Sequence, residues 1–210
     1  MGGAPACGGV GCPQNGLGSV VVSAARAEQV GELSAADLLI TPMRRRHLRG
    51  VLRIEQQVYP RPWSYGLYLG ELAHRGVGRS YVVARAGHRV VGYGGLMLVG
   101  EDAHVTTLAV DPPLHGARLG TRILLVLARM AREQGVVGLT LEVRMSNEPG
   151  KALYRRFGFA PAGIRKNYYA EVHEDALVMW AHDIDAAAYA ARLDEIEAAL
   201  PWPTPLEGFS

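Results

Sequence analysis

The switch in hydrophobic period between residues 136 and 159 constrains this 210-residue chain more than any other feature. Val136 to Met145 predicts a strand, because its apolar and polar residues alternate toward the carboxyl end. Ser146-Asn147 then offers a helix cap, Pro149 suits a first helical turn, and Gly158 ends the helix. A strand followed at once by a capped helix predicts an α/β unit, not an all-helical or all-β domain.

Similar patterns predict the remaining elements, whose order favours a mixed sheet with helices on its faces over a regular doubly wound repeat. The predicted strands are Leu38–Thr41, Tyr81–Ala84, Val90–Leu98, His104–Val110, Phe159–Tyr169 and Ala176–Trp180. The predicted helices are Arg44–Tyr59, a short helix capped by Ser64, a helix from Leu119 to near Gly135, Glu148–Phe157 and Asp183–Leu200.

Composition divides the chain into three parts. Residues 1–36 are rich in Gly, Ala, Pro and Ser without a sustained period, which predicts a flexible tail. Residues 37–183 carry the strand and helix patterns of one domain, and residues 184–210 are expected to form a C-terminal helix and tail.

Charge and cysteine content exclude several classes of function. A net charge of +2 is too small to indicate nucleic-acid binding. The two cysteines, Cys7 and Cys12, both lie in the N-terminal tail, so we expect neither a disulfide framework nor a metal site. No apolar run approaches the roughly 20 residues that span a bilayer, and no secretory signal is evident. We therefore expect a cytoplasmic protein that binds neither a membrane nor nucleic acid directly.

The segment from His115 to Thr121 joins a predicted strand to a predicted helix and contains two glycines, Gly116 and Gly120. Helix amino ends bind phosphates through unpaired N–H groups, and glycine lets an anion approach the backbone closely. The spacing matches neither a Walker loop nor a dinucleotide-binding fingerprint. An ordinary strand-to-helix turn and a phosphate-binding loop are both compatible with this pattern.

Glu142 and Tyr154 are the candidate chemical groups. Alternation puts Glu142 on the same strand face as Thr140 and Arg144, and Tyr154 lies twelve residues later on the next helix, since 154 − 142 = 12. In one interpretation Glu142 and Arg144 form a surface ion pair and the phenol packs in the core. In the other, Glu142 takes a proton from an attacking amine and Tyr154 gives one to a leaving group.

The chain resembles the GNAT acetyltransferases and, within them, ribosomal-protein-alanine N-acetyltransferases of the RimI type. The resemblance covers about residues 38–182 and implies a GNAT-like acyl-CoA N-acyltransferase fold. It is carried by Pro62-Trp63-Ser64, Leu108-Ala109-Val110-Asp111-Pro112, Leu141-Glu142-Val143-Arg144 with Ser146-Asn147, Ala152-Leu153-Tyr154 with Gly158-Phe159, Ile164-Arg165-Lys166-Asn167-Tyr168-Tyr169 and Glu174-Asp175-Ala176-Leu177-Val178-Met179.

The resemblance assigns roles to these positions. It implies transfer of acetyl from acetyl-CoA to a protein N-terminus that starts with Ala or Ser, with a small-subunit ribosomal protein as the expected acceptor. Glu142 is then the general base and Tyr154 the general acid. The arm of acetyl-CoA is expected to bind where two strands splay, at Leu108, Ala109 and Val110. Its pyrophosphate is expected to bind the loop formed by Gly116, Ala117, Arg118, Leu119, Gly120 and Thr121, and Asn147 is expected to make a further contact with coenzyme A. The acceptor is expected to contact Trp63, Tyr168 and Tyr169.

The loop departs from the family pattern Gln/Arg-x-x-Gly-x-Gly/Ala. Gly116 replaces the usual arginine and Arg118 replaces the first glycine. Arg118 either supplies the lost charge to the pyrophosphate or crowds the loop. Two other functions stay open: acetylation of a lysine or small-molecule amine, and a non-catalytic acyl-CoA-binding module.

Overall fold

The computed structural model describes residues 38–74 and 76–209, so the predicted tail at 1–36 lies outside the described residues. Seven strands of the described chain form one sheet in the order β1-β2-β3-β4-β5-β7-β6. They are β1 (Leu38–Pro42), β2 (Arg79–Ala86), β3 (Arg89–Val99), β4 (Asp102–Val110), β5 (Gly138–Arg144), β6 (Ala160–Tyr169) and β7 (Glu174–Ala181). The predicted mixed sheet is confirmed, because β4 and β5 pair in parallel while the other neighbours pair antiparallel.

The described helices lie on both faces of the sheet, as predicted. They are α1 (Leu48–Val58), α2 (Tyr65–Ala73), α3 (Leu119–Glu133), α4 (Glu148–Arg156) and α5 (Ala187–Ala198). Ser64 caps α2 as expected, since its Oγ accepts a hydrogen bond from the Leu67 amide at 3.1 Å. The helix predicted from Arg44 begins instead with a 3-10 turn at Arg45–His47. None of the described helices is long and apolar enough to cross a membrane.

The central parallel pair opens into a gap. β4 pairs with β5 only where Asp102–His104 meets Gly138–Thr140, although β4 continues to Val110 and β5 to Arg144. The register between β3 and β4 shifts at Thr106, which has no partner on β3. Such a bulge bends its strand and increases the local twist. The carboxyl half of β4 therefore diverges from β5 and leaves room between the strands.

The sheet separates two apolar clusters. On one face α1 and α2 bury an aromatic group that includes Tyr68 and Tyr93. On the other face α3 buries most of its length together with residues of α4 and α5. Both faces of the central strands are thus covered, which explains their nearly continuous apolar sequences.

The C-terminal segment predicted as a separate helix and tail packs against the domain. Leu193 and Ile196 of α5 lie in the same apolar cluster as α3. Beyond α5, the Ile40 amide donates to the Pro205 carbonyl at 2.9 Å, and the Glu207 amide donates to the Ile40 carbonyl at 3.0 Å. These bonds cover the outer edge of β1, a place where sheets otherwise expose unpaired backbone groups.

Candidate active site

A cleft of about 460 Å³ lies between β4, the amino end of α3 and helix α4. The structure brings together around this cleft nine of the ten positions predicted to bind acetyl-CoA: Leu108, Ala109, Val110, Gly116, Arg118, Leu119, Gly120, Thr121 and Asn147. Ala117 is the exception, because it packs against the apolar core. Val58 of α1 and Leu153 of α4 complete the apolar walls.

The cleft's floor is the diverging part of β4. Leu108, Ala109 and Val110 are each at most 9% exposed, so their side chains are almost fully packed. Because β5 no longer pairs with this half of β4, its edge has no strand partner on that side. Unpaired strand edges offer backbone donors and acceptors to an extended ligand. The edge therefore suits the amide-containing arm of an acyl carrier such as coenzyme A.

The amino end of α3 faces the same cleft. The first helical bond runs from the Arg122 amide to the Arg118 carbonyl at 3.1 Å, so the amides of residues 119–121 precede the helical ladder. Gly116 has a φ of 90°, a backbone conformation that glycine adopts without steric cost. Amides at a helix amino end bind phosphate groups well, so the predicted loop fits a pyrophosphate.

Two arginines add positive charge to this end of the cleft. Arg118 lines the cleft, and its Nη1 lies 3.5 Å from the Ala199 carbonyl oxygen. Arg156, at the last turn of α4, lines it too and was not predicted from the sequence. Its position after Tyr154 on an amphipathic helix gave no signal that distinguishes it from a solvated arginine. Both guanidinium groups suit a phosphate-bearing ligand.

Asn147 serves α4 as its amino cap. Its Oδ1 accepts a hydrogen bond from the Gly150 amide at 3.0 Å, and its side chain is only 5% exposed. A Cβ at Gly150 would lie 2.6 Å from the Asn147 Nδ2, so the close approach of cap and helix requires glycine. The predicted capping is thereby observed, while the predicted contact with coenzyme A stays a prediction.

Glu142 lies on β5 just beyond the last residue that pairs with β4. Its Oε2 is 3.1 Å from the His104 Nε2 and its Oε1 is 3.2 Å from the Arg165 Nη1. Burial opposes the charge of this carboxylate, but the hydrogen bond and charge of His104, together with Arg165, outweigh burial and lower its pKa. The predicted surface pairing of Glu142 with Arg144 is replaced by these two partners.

Tyr154 faces inward from α4 and is 2% exposed. Its ring packs edge-on against Phe159, with ring centroids 5.8 Å apart. Burial first, and then the nearby phenols of Tyr59 and Tyr169, raise its pKa well above the ordinary value. A phenol in this environment stays protonated near neutral pH, which is the state that a general acid requires.

Tyr59 joins this group and was not predicted. Its hydroxyl donates to the Leu108 carbonyl at 3.2 Å and lies 3.1 Å from the Thr107 Oγ1. The hydroxyl thus satisfies one backbone acceptor of β4 at the floor of the cleft. Its place at the end of a predicted helix, just before Pro60, gave no sign of these contacts.

The predicted acceptor-binding residues take different positions. Tyr168 and Tyr169 pack edge-to-face at the end of β6, with ring centroids 5.1 Å apart. Tyr169 is buried beneath the guanidinium of Arg144, whereas Tyr168 is partly exposed. Trp63 is 4% exposed and packs on Tyr68 within the aromatic cluster under the sheet. The structure therefore places Trp63 in a buried aromatic cluster, and its predicted contact with the acceptor stays a prediction.

The loop that contains Trp63 is held by a buried carboxylate. Glu55 of α1 is fully buried and accepts hydrogen bonds from the Tyr68 hydroxyl, from the Tyr93 hydroxyl at 2.6 Å and from the Trp63 amide at 3.1 Å. Burial raises its pKa, while these three donors act in the opposite direction. Glu55 therefore fixes the segment between α1 and α2 to the underside of β3.

Known proteins match this chain clearly. The model of the Acetyltransferase (GNAT) family matches residues 48–159. A putative [ribosomal protein bS18]-alanine N-acetyltransferase of Bacillus subtilis (strain 168) is 37% identical over 138 residues, which are 66% of this chain and 91% of the relative.

Solved structures agree with this match. The crystal structure of the ribosomal-protein-S18-alanine N-acetyltransferase from Escherichia coli aligns with a TM-score of 0.63 at 29% identity, covering 70% of this chain and 94% of that one. The PaiA N-acetyltransferase of Thermoplasma acidophilum, solved in complex with coenzyme A, has a TM-score of 0.59 at 15% identity over 69% of this chain and 98% of its own. The second likeness concerns the fold alone.

Proposed function

This chain belongs to the GNAT acetyltransferase family, and on that premise we propose that it acetylates the N-terminal α-amine of a protein with acetyl-CoA. The acceptor we propose starts with Ala or Ser and is a small-subunit ribosomal protein, acetylated in the cytoplasm. The B. subtilis and E. coli proteins, named as alanine N-acetyltransferases of ribosomal protein bS18 or S18, support this choice.

The donor occupies the cleft in this proposal. The edge of β4 at Leu108–Val110 receives the pantetheine arm, and the amides at the start of α3 receive the pyrophosphate. Arg118 and Arg156 neutralise phosphate charge at the same end. The bound donor supplies an activated thioester, and this chain orients its carbonyl beside the gap between β4 and β5.

Glu142 and Tyr154 then handle the protons. An α-amino group has a pKa of about 7.7–8.0 and must lose a proton before it attacks a thioester. Glu142 accepts that proton, directly or through water, and the nitrogen forms a bond to the acetyl carbon. The carbon–sulfur bond breaks, and the Tyr154 hydroxyl protonates the leaving thiolate. Because burial raises the pKa of Tyr154, its proton is present when the thiolate forms.

The observation that carries this proposal is the position of Glu142. It is the carboxylate on β5 that lies two residues beyond Thr140, the last residue of β5 that pairs with β4, where the two strands have begun to diverge. A base at that place meets an amine that enters the gap from the side opposite the donor.

Turnover of acetyl-CoA with short peptides tests the acceptor class. Peptides that start Ala-Arg or Ser are compared with free lysine and small amines by release of coenzyme A thiol. We expect turnover with the peptides at least tenfold above that with lysine. Acetylation of only lysine or small amines would replace the acceptor we propose. Absence of acetyl-CoA binding in calorimetry would leave only a module that does not transfer acetyl groups.

Substitution of Glu142 by Gln tests the base. Because the acceptor amine loses its own proton at high pH, Glu142→Gln should lower kcat/KM more at pH 7 than at pH 9.5, by about 10²-fold at pH 7. Glu101→Gln is the matched control, since Glu101 is exposed in the turn between β3 and β4. An equal loss at both pH values would remove Glu142 from the role of base.

A further inference from the structure

A second cavity adjoins the donor cleft beside α5. Its volume is about 410 Å³, and its walls are formed by Arg156, Ala188, Ala191, Arg192, Glu195 and Ile196. Arg156 also lines the donor cleft, so the two cavities meet at this side chain. α5 lies beyond residues 48–159, which match the family model, so that match gives no role to this wall.

The sequence of α5 leaves room for this cavity. Most of its cavity-lining residues recur three or four positions apart and therefore share one face of the helix. Two of them, Ala188 and Ala191, have short side chains that fill little of the space against α4. Elsewhere α5 is held firmly, because Leu193 is 1% exposed and Asp194 pairs with Arg129 of α3 at 2.9 Å. The cavity therefore has a fixed wall.

Positive charge dominates this cavity. The Arg192 Nη1 lies 3.5 Å from the carbonyl oxygen of Arg156, which places this guanidinium at the carboxyl end of α4. Glu195 is the single carboxylate among the described residues that line the cavity, against two guanidinium groups. In the part of the chain that the structure describes, neither Arg156 nor Arg192 forms an ion pair with a carboxylate. Both groups are therefore free to pair with a phosphate.

We infer that this cavity binds the adenosine 3′-phosphate end of coenzyme A, with Arg156 and Arg192 paired to the 3′-phosphate. The inference rests on the proposed function, in which the pyrophosphate of acetyl-CoA lies at the amino end of α3. Beyond that pyrophosphate, coenzyme A carries adenine and a ribose with a phosphate on its 3′ oxygen. A phosphate monoester has a charge of about −1.5 to −2 at pH 7, which two guanidinium groups match. Ala188 and Ala191 offer apolar surface to the adenine ring.

Arg192 has a second role that the experiment must separate from this one. A cation at the carboxyl end of a helix stabilises that helix, and Arg192 occupies such a position on α4. Loss of a purely structural contact would affect every donor equally. Loss of a phosphate contact affects only donors that carry the 3′-phosphate. Acetyl-3′-dephospho-CoA, which lacks that group alone, distinguishes the two roles.

Calorimetry with acetyl-CoA and with acetyl-3′-dephospho-CoA tests the inference. We expect the wild-type protein to bind acetyl-CoA about tenfold more tightly than the dephospho donor. Arg192→Gln should weaken binding of acetyl-CoA about fivefold and change binding of the dephospho donor less than twofold. Arg155→Gln is the matched control, since Arg155 is exposed on the same helix as Arg156 and lines neither cavity. It should change neither Kd by more than twofold.

Salt gives an independent measurement, because it screens exposed charges and should reduce the wild-type preference for the 3′-phosphate. Equal wild-type affinity for the two donors would overturn the inference and leave the proposed function intact. An equal loss of both donors in Arg192→Gln, or no loss of either, would overturn it too, as would a preference that salt does not change. A wild-type protein that binds neither donor contradicts the proposed function as well.

Discussion

The backbone of Arg118 allows a sharp test of the loop before α3. Its φ and ψ of 58° and 16° lie in the left-handed region, at the cap position of the helix. This conformation costs a residue with a Cβ about 1–2 kcal/mol and costs glycine nothing. Glycine loses about 0.5–1 kcal/mol more backbone entropy than alanine on folding. Arg118→Gly should therefore be more stable than Arg118→Ala by about 0.5–1 kcal/mol.

Thermal unfolding of the two variants measures this difference. Both substitutions remove the guanidinium and its 3.5 Å contact with the Ala199 carbonyl, so the loss of that contact cancels. For a chain of this size, 1 kcal/mol shifts Tm by about 2–4 °C. We expect Arg118→Gly to unfold about 1–4 °C above Arg118→Ala. Equal Tm values, or a lower value for the glycine variant, would refute the argument from backbone strain.

The same pair of variants tests what the Arg118 side chain does for acetyl-CoA. We expect both to bind acetyl-CoA about fivefold more weakly than wild type, because an exposed ion pair contributes up to about 1 kcal/mol. Salt should reduce this difference, since it screens exposed charges. Calorimetry at two salt concentrations measures both effects. Tighter binding by Arg118→Gly would mean that the arginine crowds the phosphate loop.

Two further substitutions and one deletion test other parts of the structure. Burial and the neighbouring arginines lower the pKa of His47 from 6.5 to about 4. The unfolded chain therefore binds a proton there before the folded chain does, and the unfolding free energy should fall between pH 6.5 and 4. Urea unfolding of His47→Gln should lack this component, and an unchanged slope would contradict it. Tyr154→Phe should lower kcat about 10²-fold at unchanged Tm, because the variant has no hydroxyl to protonate the leaving thiolate. Tyr189→Phe is the control, since Tyr189 is also buried and should leave kcat unaltered. Equal effects on kcat would remove Tyr154 from the acid role. Deletion of residues 201–210 removes two backbone hydrogen bonds to Ile40 and the Arg122–Trp202 ring contact. We expect it to lower the unfolding free energy by about 2–4 kcal/mol, and deletion of 208–210, which keeps those contacts, should not.

Local patterns were sufficient for the elements around the site. The cap at Ser64 was predicted and the cap of α4 was narrowed to Ser146 or Asn147, because a capping side chain bonds to an amide only three residues away. The end of β5 was placed one residue too late, at Met145, which is 38% exposed after the strand ends at Arg144. Alternation does not mark where a strand leaves its neighbour, so this boundary could not be read from the sequence.

Trp63 shows why the acceptor side was harder to predict. Its Pro-Trp-Ser context indicated a break after a helix, and the family resemblance implied a contact with the acceptor. The indole is buried because Glu55 draws the Trp63 amide toward β3 with a 3.1 Å hydrogen bond and because Tyr68 and Tyr81 pack around the ring. A fully buried glutamate among tyrosines contradicts ordinary patterning, so sequence periodicity gave no sign of it.

The partners of Glu142 also come from far along the chain. His104 is 38 positions before it, since 142 − 104 = 38, and Arg165 is 23 positions after it, since 165 − 142 = 23. The contact between His104 and Glu142 depends on the parallel register that pairs His104 with Thr140. The contact between Arg165 and Glu142 depends on the antiparallel pairing of β6 with β7, which lies next to β5. A shift of one residue in the parallel pair would turn His104 to the opposite face. The electrostatics of the proposed base is therefore a property of strand register, and substitutions that alter the β4–β5 pairing should change the pH dependence of the reaction without touching either side chain.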